Sequence, residues 1–341
     1  MAVFGGTATG VTPGTTSAGG TGVGASFIPK IWLDEMLVAR ERNLIAGNFF
    51  KRINHKGKKG DVLHIPFLSN LTASAKATNT LVTVQANTES EATILLNNHY
   101  EVSQLFEDFL MVQQMYNLRQ EYTKKAGYAL ALQMDYSILR LFTTTSDVIQ
   151  DAQAGTYAAN SAGLMSSSYM FIGGDSATAW DRTGAGNGTA LTDAGIRHAM
   201  RILDDNNVPY EDRCLIIPPV AKEAMLGIDK FVLANYIGRT KELWNAEFGQ
   251  IYGMPVKVST NCPTIRAADG STLYRVAVVA HKDAVCSAIQ QDIRTQAQYK
   301  QEYLGTLVTS DMIWGVAGLR LGTTESTSSR ISHAVSLVIP A

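Results

Sequence analysis

The residues of this chain whose types and spacing could do chemistry are its glycine loops, one lysine cluster, six histidines, three cysteines and a few paired carboxylates. "GGTGVG" (19–24) and "GAGNGT" (184–189) resemble loops that cradle phosphate with backbone N–H groups. Neither has the lysine of a P-loop or joins a strong strand to a helix, so both read as linker. "HKGKKGDVLH" (55–64) sets Lys56, Lys58 and Lys59 close enough to grip phosphates. It lacks the interleaved aromatics of a nucleic-acid platform, which favours the solvated start of a strand or a protein contact. His55, His64, His99, His198, His281 and His333 form no HxxxH or HExxH pair, so no metal ligand is assigned. Adjacent carboxylates, Glu107 with Asp108 and Asp204 with Asp205, point apart on a helix and cannot face each other as a hydrolase pair does. Cys214, Cys262 and Cys286 are widely spaced, without CxxC or an activating histidine nearby, and read as reduced thiols made in a cytoplasm. There is no GxSxG. No catalytic or cofactor-binding residue is therefore assigned, and the chain does not read as an enzyme.

Composition narrows the class. The chain has 341 residues, 45% of them hydrophobic and 17% charged, against roughly 25% charged in soluble globular proteins. A large core is possible, and much of the surface is not built to face water, which points to an obligate assembly. A formal net charge of −1 supplies no field to hold nucleic acid. "MAVFGGTATG" has no basic start or apolar run, and no stretch reaches the roughly 20 apolar residues of a membrane span. The expectation is a chain neither secreted by a standard signal nor membrane-bound.

The elements follow from periodicity. Residues 1–26, almost wholly Gly, Thr, Ala, Ser and Val and without charge, cannot offset their own chain entropy and predict a flexible arm. "FIPKIWLDEMLVARERNLIAGNFF" (27–50) predicts a short amphipathic helix. "KKGDVLHIPFLSN" (58–70) and "SEATILLNNHYEVSQLF" (90–106) read as the two strands of a long hairpin with little core of its own. From Phe106 to Phe142 the chain is proline-free; Phe109, Val112, Tyr116, Ala126, Leu130, Met134, Ile138 and Leu141 lie near one face of a helix, with a polar interruption at 119–123. Residues 150–190 form a second Gly- and Ser-rich stretch. A mixed α/β unit follows, with a helix over 192–205, strands at 213–219, 255–260 and 273–280, and a short helix at "VAKEAML". The tail is mostly strand-forming.

"FGQIYGMPVKVSTNCP" (248–263) illustrates the scaffold character of that unit. Val256 and Val258 alternate with Lys257 and Ser259 as in a half-buried strand, started sharply by Gly253 and Pro255 and ended by Asn261 and Pro263. Gly253 sits in what reads as a turn that requires positive φ.

Taken in order, these pieces resemble the major capsid proteins of tailed bacteriophages, the Hong Kong 97 type coat fold, and particularly the coats of short-tailed phages. "KGDVLHIP" and "ATILLNNHYEVSQLFEDF" are similar to the E-loop strands and the run into the spine helix. "VPYEDRCLIIPPVAKEAML", "GQIYGMPVKVSTNCP" and "HKDAVCSAIQQ", with "LGTLVTSDMIWGV", are similar to the axial domain and the return. The resemblance implies an α+β fold divided into an N-terminal arm and short helix (1–45), an E-loop hairpin (46–104), a peripheral domain with the spine helix (105–150), an axial domain (151–290, including the lobe 151–190) and return strands of the peripheral domain (291–341). It also implies a virion protein, assembled in the host bacterial cytoplasm as pentamers and hexamers of an icosahedral shell. The shell would enclose double-stranded DNA without reading its sequence, with a portal protein as partner. Lys56, Lys58, Lys59, Lys76, Gly253 and Pro255 are the candidate inter-subunit contacts.

Two departures from the family stand out. Only about 26 low-complexity residues precede the first helix, where some relatives carry a long cleaved scaffolding region, so a separate scaffolding protein is expected. Some relatives link E-loop lysines to asparagines; Lys76 lies in the right loop, but no activating carboxylate stands near it in sequence and no cross-link is assigned. The alternatives are an encapsulin-type compartment shell, built on the same fold, and an α/β enzyme with a hairpin arm.

Overall fold

Runs of β-branched residues and one long Leu- and Ala-rich segment divide the chain between two main sheets, a two-stranded hairpin sheet and a long helix. The computed structural model describes residues 41–57, 59–68, 71, 73–82, 84–85, 89–113, 118–144, 148–149, 164–174, 178–228, 249–322 and 331–341. The arm read at 1–26, most of the helix read at 27–50 and much of the Gly- and Ser-rich stretch lie outside the described residues. Residues 42–341 pack as one unit.

In chain order, α1 (Ala46–Phe49), β1 (Lys51–Asn54), β2 (Val62–Leu68), β3 (Glu89–Leu95) and β4 (Asn98–Glu107) lead into α2 (Asp108–Gln113) and α3 (Leu118–Arg140). Then come β5 (Val148–Ile149), β6 (Met170–Ile172), α4 (Asp193–Asp205), β7 (Arg213–Ile217) and α5 (Pro219–Leu226). The chain finishes with β8 (Gln250–Ile251), β9 (Met254–Val258), β10 (Thr264–Arg266), β11 (Leu273–His281), β12 (Val285–Lys300), β13 (Gly305–Gly318) and β14 (Ala334–Pro340).

The smaller sheet has the order β1-β12-β13-β4. Side chains alternate across it. Val285, Ile289, Met312 and Trp314 enter one core with Leu130, Met134, Ile138 and Leu139 of α3. Cys286, Ala288, Ala317 and Leu319 enter another with Ala92 and Ile94 of the β2–β3 hairpin. The helical stripe read from the sequence is buried at Ala126, Leu130, Met134, Ile138 and Leu141, but Phe109 and Val112 face solvent. The polar stretch 119–123 does not break α3.

Asp135 faces the buried side of α3 and is 1% exposed. Its carboxylate accepts from the Gly47 N–H at 3.1 Å and from Asn261 Nδ2 at 3.0 Å, tying the helix to α1 and to the loop after β9. Burial pushes its pKa up, and these hydrogen bonds oppose the shift.

The larger, eight-stranded sheet runs β5-β10-β11-β7-β9-β8, with β14 on β11 and β6 on β14. Val276 and Val278 of β11 face the α3 side. Ala277 and Val279 pack with Ile196 and Leu203 of α4 and Met225 of α5. Burial on both faces explains why "VAVVA" does not alternate with polar residues.

The strand read over 90–106 is two strands in different sheets. Glu89–Leu95 pairs with β2, and Asn98–Glu107 pairs with β13. The hairpin root also has a core, since it lies on the chain's own smaller sheet through Leu63, Ile65 and Phe67. Segment 291–341, read as one set of return strands, contributes to both sheets through β13 and β14. Among the described residues no helix is long and apolar enough to cross a membrane.

Candidate inter-subunit surfaces

Several of the residues singled out for chemistry are occupied with packing. In the loop 184–189 a Cβ on Gly186 or Gly188 would come within 2.9 Å or 2.4 Å of the Tyr274 ring, whose hydroxyl donates to the Ala185 carbonyl at 2.7 Å. These glycines admit a tyrosine, not a phosphate. The loop 19–24 and Lys58 lie outside the described residues. Lys56 pairs with Asp292, while Lys59 and Lys76 are exposed and are not brought together with it. Asp108 accepts from the Tyr299 hydroxyl at 2.8 Å, and Asp204 pairs with Arg213 at 2.7 Å. Among the described residues, no three His, Cys, Asp or Glu side chains converge as metal ligands do. The three cysteines are free and buried, and burial raises each thiol pKa.

Beyond the packed root of the hairpin, its apolar side chains meet solvent. Leu81 is 95% exposed and Val84 91%, with Leu71 and Val82 close behind. Lys76 is the sole charge in the whole stretch 69–88. A segment of this composition has no reason to project unless another surface covers it. Most of the stretch is Thr, Ala, Ser and Asn. The sequence signal of this surface is the cluster Leu81, Val82 and Val84, which follows no strand period.

A second apolar surface caps the far end of the smaller sheet. Leu304 takes the left-handed conformation with φ 44° in the turn between β12 and β13, and its carbonyl accepts from the Asp108 N–H at 2.9 Å. Around this junction Phe109 and Val112 of α2, with Tyr303 and Leu304 of the turn, are each more than 60% exposed. Sequence periodicity assigned Phe109 and Val112 to the core stripe because the helical spacing continues past the end of the sheet that could cover them.

Gly253 and Pro255 belong to a tight hairpin. Gln250 pairs with Pro255 and Ile251 with Met254, which leaves Tyr252 and Gly253 as a two-residue turn with φ 50° and 78°. Positive φ at both centres is the type I′ geometry that suits strand twist. Tyr210 closes over the turn, donating from its hydroxyl to the Tyr252 carbonyl at 2.7 Å. The Tyr252 hydroxyl donates to Asp193 at the start of α4, and burial followed by this bond pushes its pKa up to about 12. The turn is thus braced from within its own subunit.

A family model for phage capsid proteins matches residues 53–319. A structure from Mycobacterium phage Che8 is similar at 19% identity, covering 91% of this chain and 97% of that one with a TM-score of 0.66. The capsid structure of cyanophage P-SCSP1u is similar at 18% identity, 94% and 95% coverage and a TM-score of 0.68. The capsid of Ralstonia phage GP4 is similar at 14% identity, 95% and 98% coverage and a TM-score of 0.66. No curated protein matches in sequence. At these identities the structures establish the fold, which is α+β and of the Hong Kong 97 capsid type. The family match covers most of the chain: it belongs to the phage capsid protein family, as a structural major capsid protein.

Proposed function

We propose that the protein tiles an icosahedral shell as pentamers and hexamers, enclosing double-stranded phage DNA without reading its sequence and without catalysing a reaction. The observation that carries this is the exposure of Leu81, Val82 and Val84 on the hairpin and of Phe109, Val112, Tyr303 and Leu304 at the end of the smaller sheet. Fully burying a side chain of this size contributes about 1.5–3 kcal/mol, and repetition over a lattice multiplies that gain. The hairpin within 46–104 acts as the E-loop over a neighbouring subunit, and α3 within 105–150 as the spine. Strands β6 to β11 of the larger sheet form most of the axial domain within 151–290, and the arm at 1–26 works as a clamp on a neighbouring subunit. Lys56, Lys58, Lys59 and Lys76 tune these contacts, whereas Gly253 and Pro255 keep a hard edge where axial domains crowd together.

A separate scaffolding protein and a portal protein complete the assembly, which takes place in the host cytoplasm. The near-neutral charge suits a container, since a strongly basic wall would hold the genome by its phosphates. The compartment-shell and enzyme alternatives are not favoured by the family match. Negative-stain microscopy of the purified protein, alone and with a co-expressed scaffold, tests the reading. Closed shells are expected, and persistent monomers under both conditions would overturn it.

A further inference from the structure

The chain passes between its two sheets at two adjacent places. It leaves β11 for β12 through residues 281–285, and it comes back from the end of β13 to β14, where residues 319–322 and 331–333 are described. Backbone hydrogen bonds lash the crossings together. The His281 N–H donates to the His333 carbonyl at 2.9 Å, and the His333 N–H donates to the Arg320 carbonyl at 2.9 Å. Leu319 and Arg320 both donate to the Ala284 carbonyl, at 3.0 and 3.1 Å. Inside this knot the imidazoles of His281 and His333 meet edge to face, with centroids 5.7 Å apart. Both residues are 6% exposed.

The hydrogen bonds require both rings to be neutral. His281 Nδ1 accepts from the Asp283 N–H at 3.1 Å, so its proton sits on Nε2. His333 Nε2 lies 3.4 Å from a guanidinium nitrogen of Arg320, which can only donate, so its proton sits on Nδ1. That Nδ1 is buried and has no hydrogen-bond partner among the described residues. A second proton on His333 would point at the Arg320 cation, and one on His281 would break the bond that shapes the 281–285 turn. The charged groups around the pair are Arg320 after β13, Arg213 on β7, Asp212 before it, and Asp283 in the crossing. Asp283 is shared with Lys51 of β1 at 3.7 Å, and Arg213 is engaged by Asp204 of α4.

We propose that the double crossing is an acid-released clasp, in which protonation of the His281–His333 pair frees the mutual angle of the two sheets while each sheet stays folded. Desolvation lowers the pKa of both rings, that of His333 to about 4, with Arg320 and His281 adding to the shift. A histidine depressed in the folded state contributes stability that is full above its unfolded value of 6.5 and is lost as pH falls toward the folded value. The clasp therefore weakens between about pH 6.5 and pH 4. Its behaviour is a property of the subunit and does not rest on the shell reading.

The test uses the full-length subunit, wild type and the double variant His281→Asn/His333→Gln, whose amides keep an acceptor near each required position but do not titrate. Hydrogen exchange is compared at about pH 7.5 and about pH 5, corrected for intrinsic rates. The wild type should exchange about 30-fold faster at the lower pH across 281–285, 319–322 and 331–333, with β11 and β13 centres unchanged and the double variant unresponsive. Carbon-detected titration of histidine-labelled wild type gives a second readout if the variant does not fold. A His333 resonance titrating below about pH 5 supports the clasp. Titration at about pH 6 or above, an equal acid response in the double variant, or exchange rising uniformly along the chain would overturn it.

Discussion

The centre of β11 and the cluster Leu81, Val82 and Val84 in the loop of the β2–β3 hairpin carry the same kinds of apolar side chain and meet opposite fates. Val276, Ala277, Val278, Val279 and Ala280 are each 0% exposed, whereas Leu81 and Val84 are almost wholly exposed. The difference lies in covering partners, not in composition. β11 has β7, β10 and β14 along its edges and helices on both faces, while none of the described residues covers Leu81 or Val84 of the loop. Burial within the chain holds the fold, and the same apolar chemistry left outside it is available to hold one subunit to the next. A capsid subunit must be stable before it assembles and adhesive when it does, and separating the two tasks by location allows each to be tuned alone.

The largest expected effect tests the first half of this contrast. Val278→Asp would bury a carboxylate within the apolar α3-side core. The penalty is several kcal/mol, a large part of the roughly 5–15 kcal/mol that a domain has. The expected outcome is loss of soluble folded subunit, checked by yield and by near-ultraviolet circular dichroism. Normal yield would mean that the sheet centre tolerates water.

The next effect should fall on assembly alone. Deleting residues 71–88 leaves Ser69 and Asn70 to join β2 to β3 and removes no buried side chain of the described core. The melting temperature should stay within about 1 °C of the full chain, a change of under about 1 kcal/mol for a protein of this size. Closed particles should disappear from electron micrographs. A marked drop in melting temperature would place the loop with β11 as part of the fold and collapse the comparison.

How much of this was legible beforehand varies with the kind of information each feature needs. "VAVVA" reads as a strand from β-branched residues alone, and the helix of α3 reads from its spacing. The break between β3 and β4 did not, because Ala92, Ile94 and Leu96 face inward and the same even-numbered phase continues through Tyr100 and Val102. With no change of phase, alternation could not reveal a change of sheet. The exposure of Phe109 and Val112 was equally hidden, since periodicity reports a face and not where its cover ends. His281 and His333 share no sequence motif. Their meeting follows from the antiparallel register of β11 with β14, where Ala280 stands opposite Ala334 and the next step brings the histidines together.

A smaller effect sharpens the boundary between the two regions. Gly253→Val places a β-branched residue at φ 78°, where its Cβ would also come within 3.1 Å of the Tyr210 ring. Strain of this kind costs about 1–3 kcal/mol. Chemical denaturation should show that loss, while Gly253→Asn, tolerant of the left-handed region, should lose less. Equal losses would assign the effect to contact with Tyr210 and not to the backbone.

The smallest effect concerns Asp311, which sits in the middle of β13 between the packed inner part of the smaller sheet and its exposed outer arm. Its carboxylate accepts from Arg294 at 3.1 and 2.9 Å, from Gln291 at 2.8 Å and from His99 at 3.3 Å, where β12 shifts register against β13. Its Arg294 partner is half-exposed, which limits the pair's contribution through screening. The Arg294 bond, helped by those from His99 and Gln291, holds the Asp311 pKa below its ordinary 3.8. A carboxyl lowered in this way contributes stability that is present above the unfolded value and is lost as pH falls through the folded one. Asp311→Asn should therefore lower the melting temperature by only about 1–2 °C at neutral pH, and the gap should close in acid below about pH 4 as the wild-type carboxyl takes up its own proton. The histidine clasp titrates in both proteins and cancels in the difference. A gap that stays constant through this range would mean that Asp311 acts through packing at the register shift and not through its charge.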